Sequence, residues 1–191
     1  MDAFLFQQIN GLAGHNPGLD TFMALCAKYL PVLFALFLLV LWFTRRQRVA
    51  FLAGISVLLA LGIAQIINGI FLRPRPYTVY AAVHLLVERT SDPSFPSDHA
   101  TLAFAIAALV WQFNRKLGWF LFALAVFQGF ARVYVGAHYP SDIIGGAILG
   151  ILVSMAVGKI SQLPVIRRLL NSLFGWLAKW HLAREDQEQL A

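Results

Sequence analysis

Short charged connections break this chain into five apolar stretches, and no other feature constrains it as much. The stretches run from about Thr21 to Phe43, Val49 to Leu72, His99 to Phe113, Leu117 to Val135 and Ser141 to Ile160. A helix of roughly 20 apolar residues spans the hydrocarbon core of a bilayer and satisfies its backbone polar groups internally. With 59% hydrophobic and 13% charged residues and a mean hydropathy of +0.69, the composition lies far from that of a soluble domain. The expected fold is all-α: an integral membrane bundle of about five transmembrane helices, one membrane-embedded domain over residues 1–191. The third stretch is short, so its helix either extends beyond the apolar run or lies where the protein shields it.

The net charge of +6 invites a nucleic-acid reading, but most basic residues flank the apolar stretches, where they set topology instead. Arg45, Arg46, Arg48, Arg115, Lys116, Lys159, Arg167, Arg168, Lys179 and Arg184 fall on one side, ten of the fifteen Lys and Arg. By the positive-inside rule that side is cytoplasmic, which puts the C-terminus inside and the N-terminus outside. The aromatic residues segregate in the same way. Trp42, Trp111, Trp119, Trp176 and Trp180 fall at cytoplasmic ends, and Tyr29, Tyr77, Tyr80, Tyr134 and Tyr139 at outer ends. Cys26 is the only cysteine and sits in an apolar run, so it is expected to pack rather than react. Asp2 is the only charge before His15, and a cleaved signal peptide is not expected. Two flanking segments read as interfacial anchors. One carries Leu5, Ile9 and Leu12; the other carries Ile166, Leu169, Leu170, Leu173 and Leu177, with Arg167, Arg168 and Lys179 on its polar side.

Three polar clusters map to the outer face: Arg73-Pro-Arg-Pro76, Pro96-Ser-Asp-His99, and Arg132 through His138 to Asp142. Charges at membrane ends are costly and therefore point to function. Pro96 to His99 opens the third stretch, where a helix N-terminus favours an anion. Ser97 or Asp98 can equally be a simple cap, but capping does not account for His99, which is suited to protonate a leaving oxygen. Arg132 offers a guanidinium fork that matches phosphate oxygens. If the fifth helix starts near Pro140, Asp142 lies in its first turn and reaches back to His138, fixing the tautomer that leaves one ring nitrogen free to attack phosphorus. The alternative is an Arg–Asp ion pair beside an interfacial histidine. A proline follows both Arg73 and Arg75, so both lie on extended chain, one directed to substrate and one to lipid head groups. Snorkelling is the other reading of that pair. Asn68 adds a neutral donor.

In order and spacing, these residues resemble the three-motif signature of the type 2 phosphatidic acid phosphatase superfamily, K-x6-R-P, P-S-G-H and S-R-x5-H-x3-D. The matching stretches run from Asn68 to Arg75-Pro76, Pro96 to His99, and Ala131-Arg132 to His138 to Asp142, all within residues 68–142. The P-S-D-H variant and small size are similar to bacterial undecaprenyl-diphosphate phosphatases of the bacitracin-resistance type. The resemblance implies hydrolysis without metal or cofactor, with His138 as nucleophile, Asp142 orienting it and His99 protonating the leaving group. It also implies that Arg75, Ser97 and Arg132 hold the phosphate. Asn68 replaces the lysine and Arg73 is the residue expected to restore its charge. Asp98 replaces glycine beside an anionic substrate, and Ala131 replaces serine.

The function so implied is hydrolysis of undecaprenyl diphosphate to undecaprenyl phosphate at the outer face of a bacterial plasma membrane. It would recycle the carrier for cell-wall synthesis and confer bacitracin resistance, with a polyprenyl diphosphate and membrane lipids as the only partners and no nucleic acid. Two rivals differ in chemistry. One is a broad phosphatidylglycerophosphate or phosphatidate phosphatase; the other is a lipid-binding or transport protein with no chemistry. A third reading gives Glu88, Asp92, Asp98 and Asp142 to Mg²⁺ or Ca²⁺.

Overall fold

A computed structural model describes residues 1–44 and 46–175. Within them the chain is helical, without strands, in the order α1 (Asp2–Asn10), α2 (Pro17–Phe43), α3 (Gln47–Phe71), α4 (Pro76–Val79), α5 (Asp98–Phe113), α6 (Arg115–Tyr134) and α7 (Pro140–Ile160). A further helical stretch occupies 164–175. Among the described residues, four segments are long and apolar enough to cross a membrane: Pro17–Phe43, Gln47–Val79, Arg115–Tyr134 and Pro140–Ile160.

The short third stretch forms α5, which has 16 residues. At 1.5 Å per residue it is about 24 Å long, less than a bilayer core of about 30 Å. Burial compensates, because every residue from Ala103 to Val110 is buried. A helix that is apolar all round belongs inside the bundle. The outer helices instead expose a belt of large apolar side chains, among them Leu33 and Leu36 of α2, Leu58 and Ile66 of α3, Phe120 and Val126 of α6, and Ile148 and Leu152 of α7.

Small residues bring α7 onto the backbone of α5. A Cβ on Gly146 would lie 2.6 Å from the Ser97 carbonyl oxygen, and one on Gly150 would lie 2.5 Å from that of Thr101. One turn further, Ser154 Oγ donates to the Ala105 carbonyl at 2.8 Å. This spacing of small residues every four positions lets helices approach closely without lipid between them. As a result the two N-termini meet, and Ser97 N–H donates to the Asp142 carbonyl at 3.1 Å.

The structure refines the sequence expectations in the flanking segments and in α2. The N-terminal helix exists; it buries Phe6 and Asn10 and leaves Leu5 and Leu12 exposed, as an interfacial anchor requires. α2 begins earlier than expected, which places Tyr29 near its middle; the other four tyrosines do lie at the end that carries the polar clusters. In 164–175, Leu170 is buried with Ile166 and Phe174 packed beside it, while Leu169 and Leu173 are exposed. Leu177 and Lys179 of that segment lie outside the described residues, as do Arg45, Trp176, Trp180 and Arg184.

Candidate active site

The site is built where α3, α5 and α7 begin or end. Leu72 closes α3 in the left-handed region (φ 41°), an uncommon conformation for leucine, and the following prolines hold Arg73 and Arg75 extended. The turn between α6 and α7 passes through Gly136 at φ 80°, where a Cβ would meet Val83 and the His84 carbonyl. That close approach delivers His138 into the interior, where it is 2% exposed.

The imidazole of His138 is fixed on both edges. Its Nδ1 lies 3.0 Å from the Ser94 carbonyl oxygen, so the proton sits on Nδ1 and the lone pair on Nε2. Nε2 lies 3.2 Å from Arg75 Nη1. Asp142 was expected to orient this ring directly, but its Oδ2 is 3.6 Å from Nδ1, beyond hydrogen-bond range. Its carboxylate is otherwise engaged: Oδ2 accepts from Tyr139 N–H at 2.8 Å, and Oδ1 accepts from Arg73 at 2.7 Å. Asp142 therefore holds the turn that carries His138, and a backbone carbonyl sets the tautomer. Burial first, then the charges of Arg132 and Arg75, hold the His138 imidazole well below its ordinary value, which keeps it neutral.

The three arginines differ sharply. Arg75 is tied to the chain: Nε and Nη2 donate to the carbonyl and carboxylate of Asp92 at 3.0 and 2.6 Å, and Nη1 donates to the Ala137 carbonyl at 3.1 Å. Arg73, expected at the phosphate, turns instead to the junction of α1 and α7. There it binds Ser141, Asp142 and Asp2 at 2.6, 2.7 and 2.6 Å, with its guanidinium 4.2 Å from the Tyr139 ring centre. Arg132 is 8% exposed and makes no hydrogen bond or ion pair through its side chain among the described residues; its Nε is buried without a partner. The Arg–Asp ion pair offered as the alternative for Arg132 is therefore not formed.

At the start of α5, Ser97 does not cap the helix with its side chain, and its Oγ is buried without a partner. His99 lies within Coulombic reach of Arg132, His138, Arg75 and Asp92. Asp98 points the other way, toward α3, where its Oδ2 accepts from Gln65 Nε2 at 2.9 Å and its Oδ1 is buried without a partner. Asn68 lies three residues after Gln65 on the same face of α3, and its Oδ1 is likewise buried and unpaired. Glu88, Asp92, Asp98 and Asp142 do not converge; among the described residues no three His, Cys, Asp or Glu side chains gather at metal-ligand geometry.

Sequence reasoning missed Ser94, Asp2, Ser141 and Gln65, and did not foresee that Asp92 pairs with Arg75. Ser94 acts through its carbonyl, for which no residue type is diagnostic. Asp2 reaches the site across more than a hundred residues of chain. The orphaned Arg132 Nε and Ser97 Oγ can both donate, which suits an anion with several oxygens. Beside these donors, the neutral imidazole of His138 keeps a lone pair on Nε2.

A helical membrane bundle with this site belongs to a known class. Residues 49–163 match the PAP2 superfamily, and the chain belongs to it. The match encloses all three polar clusters. Among similar proteins, the undecaprenyl-diphosphatase BcrC of Bacillus subtilis (strain 168) is 36% identical over 187 residues, covering 94% of this chain and 96% of that protein. The crystal structure of Aquifex aeolicus LpxE superposes with a TM-score of 0.72 at 31% identity, over 83% of this chain and 94% of that one. A transmembrane PAP2-type phosphatidylglycerolphosphate phosphatase from Bacillus subtilis shares the fold, with a TM-score of 0.63 at 21% identity over 84% of both chains.

Proposed function

We propose that this protein hydrolyses undecaprenyl diphosphate to undecaprenyl phosphate and inorganic phosphate at the outer face of a bacterial plasma membrane. By this route it recycles the carrier lipid for wall synthesis and confers resistance to bacitracin. The observation that carries the reading is the buried, neutral His138 imidazole, with Nδ1 tied to the Ser94 carbonyl and Nε2 turned toward Arg75. The choice of lipid rests on the relatedness to a named undecaprenyl-diphosphatase along nearly the whole chain.

In the proposed reaction, Nε2 of His138 attacks the terminal phosphorus as the bond to the bridging oxygen breaks. The phosphoryl group passes to the imidazole, and His99 donates its proton to the leaving lipid phosphate. A water deprotonated by His99 then attacks the phosphohistidine, which releases phosphate and restores both imidazoles. Arg132, the Ser97 hydroxyl and Arg75 hold the phosphoryl oxygens, and Arg75 Nη1 transfers from Nε2 to one of these oxygens as phosphorus approaches. No metal is required in this scheme, because the arginines neutralise the phosphate. The outward orientation follows from the arrangement of Lys and Arg, with the C-terminus cytoplasmic. Asn68 and Asp98 lie on the α3 side of the site, and the polyprenyl tail stays in the bilayer.

The test is phosphate release by purified protein from undecaprenyl diphosphate and from phosphatidylglycerophosphate, in excess chelator, with His138→Ala alongside. The expected result is one phosphate per lipid diphosphate and a clear preference for it. The His138→Ala variant should lose about 10⁴-fold or more, the scale at which removing a covalent nucleophile acts. Equal rates on both lipids would reduce the reading to a broad lipid phosphatase. Undiminished activity without the imidazole would remove the mechanism.

A further inference from the structure

Asp2, the first residue of α1, lies against the site although nothing in the three motifs calls for it. Its Oδ1 accepts from Ser141 N–H at 3.0 Å, and its Oδ2 accepts from Ser141 Oγ and Arg73 Nη2, both at 2.6 Å. Ser141 N–H is one of the first-turn donors of α7 that has no partner within its own helix. Asp2 supplies that partner from elsewhere in the chain, with a negative charge at the positive end of the helix.

We infer that Asp2 is a positioning residue of the phosphatase site, acting on His138 through Arg73 and the first turn of α7. The inference rests on the functional reading above. Two routes lead from Arg73 to the imidazole. By side chain, Arg73 bridges Asp2 and the fully buried Asp142, whose Oδ2 accepts from the Tyr139 N–H directly after His138. By backbone, the Arg73 carbonyl accepts from Ser94 N–H at 2.8 Å, and the Ser94 carbonyl accepts from His138 Nδ1. Fixing Arg73 therefore fixes both the turn that carries the imidazole and the carbonyl that sets its tautomer. Without Asp2, Arg73 keeps a carboxylate on one side only and Ser141 N–H has no acceptor.

The rest of α1 presents Asp2 firmly. Phe6 is buried, with its ring centre 5.6 Å from that of Tyr139 and 6.4 Å from that of Tyr80. Asn10 ties the helix down at its other end, donating to the carbonyls of His84 and Tyr134 and accepting from His84 N–H. Phe4, Leu5 and Leu12 are exposed on the opposite face. α1 is thus a strap fixed at both ends, with the carboxylate of Asp2 at the site end.

The experiment measures kcat and KM for phosphate release from undecaprenyl diphosphate by the full chain. The variants are Asp2→Ala, Asp2→Asn and Asp2→Glu, each also made with Arg73→Ala, and His138→Ala is the control. Amide hydrogen exchange over 139–142 is read in the same preparations. Asp2→Ala should lower kcat by about 10- to 100-fold, the cost of small misplacements of reacting groups, with KM within about twofold. Exchange over 139–142 should rise, Asp2→Glu should restore most of the rate, and Asp2→Ala should add little once Arg73 is gone. Wild-type kcat with unchanged exchange in Asp2→Ala overturns the inference, and so do effects that multiply with those of Arg73→Ala. Asp2→Asn keeps the side-chain volume and gives the same reading if Asp2→Ala fails to fold. If the wild type leaves undecaprenyl diphosphate intact, the functional reading falls. The exchange data then decide the Asp2 contact alone: raised exchange supports it, unchanged exchange overturns it.

Discussion

Arg73 and Arg75 on one side, and Arg132 on the other, look alike as sequence: arginines at the end of an apolar helix. In the fold they are opposites. The first two are met by carboxylates, Asp2 and Asp142 for Arg73 and Asp92 for Arg75. Arg132 is buried with no acidic partner among the described residues. A guanidinium with its counter-charge supplied by the chain is a structural tie. A buried one without such a partner costs several kcal/mol in principle, and the fold keeps it only if an anion arrives from outside. The contrast separates arginines whose charge the chain already meets, of which only Arg75 also turns toward substrate in the proposed reaction, from the one left to pair with substrate alone.

The strongest way to break that contrast is Arg132→Met. Activity should fall by about 10³-fold, as expected when a fixed donor to a developing phosphoryl charge is lost. Thermal unfolding should stay the same or shift upward, because a buried unpaired cation has gone. Arg132→Lys keeps the charge but loses the fork, so it should recover only part of the rate. A large fall in the melting temperature of Arg132→Met would show that the residue is structural after all.

Arg73→Ala should behave in reverse. It strands the fully buried Asp142 and leaves Asp2 facing it, so unfolding should be easier by about 2 to 4 kcal/mol, toward the lower end because Arg73 is partly exposed. Activity should fall less than in Arg132→Met. Thermal scans of both variants in one detergent provide the test: if Arg132→Met loses more stability than Arg73→Ala, the distinction between tie and site fails.

His138 extends the contrast to pH. Burial, with the charges of Arg132 and Arg75, keeps the imidazole well below its ordinary value near 6.5. The nucleophile needs the neutral ring, so activity is lost by protonation as pH falls. The acid limb of kcat/KM assigned to His138 should therefore lie well below the ordinary imidazole range, with a tenfold loss per pH unit beneath it. Stability has the same sign. Below about 6.5 the unfolded chain takes up a proton that the native ring refuses, so unfolding becomes easier as pH falls. Arg132→Met should move the acid limb upward by removing one of the two cations. An acid limb already near 6.5 in the wild type would mean that the ring is not held as described.

Much of this was legible in the sequence, and for clear reasons. Apolar length marked five long helices, four of them in segments long and apolar enough to cross a membrane; the shortness of the third was consistent with either extension or shielding, and the fold chose shielding, with Ala103 to Val110 buried in the bundle. The spacing from Arg132 to His138 to Asp142 corresponds to a helix end, a turn and a helix start. What was not legible depends on tertiary contact. Ser94 acts through a backbone carbonyl. Asp2 and Asp142 meet only because α1 lies across α7, and Arg73 is diverted from the phosphate by that meeting. The burial of Phe6 was not legible either, because apolar residues occupy both sides of α1 and only packing decides which of Phe6 and Leu5 is inside.

The smallest expected effect tests the pairing that is least secure. Asp92, which holds Arg75 at 2.6 Å, has a side chain 51% exposed, whereas that of Arg75 is 7% exposed. A half-exposed carboxylate contributes little to stability, so Asp92→Asn should change unfolding by less than about 1 kcal/mol. Its effect on substrate should be clearer. The carboxylate competes for the same guanidinium that the proposed reaction turns toward phosphate, so neutralising it should lower KM by about two- to threefold, an electrostatic gain of less than 1 kcal/mol. Added salt should shrink that gain, since charges this exposed are screened. A rise in KM instead would show that Asp92 fixes Arg75 in its working position, which would make Arg75, like Arg73, a tie and leave Arg132 as the main cationic holder of the phosphate.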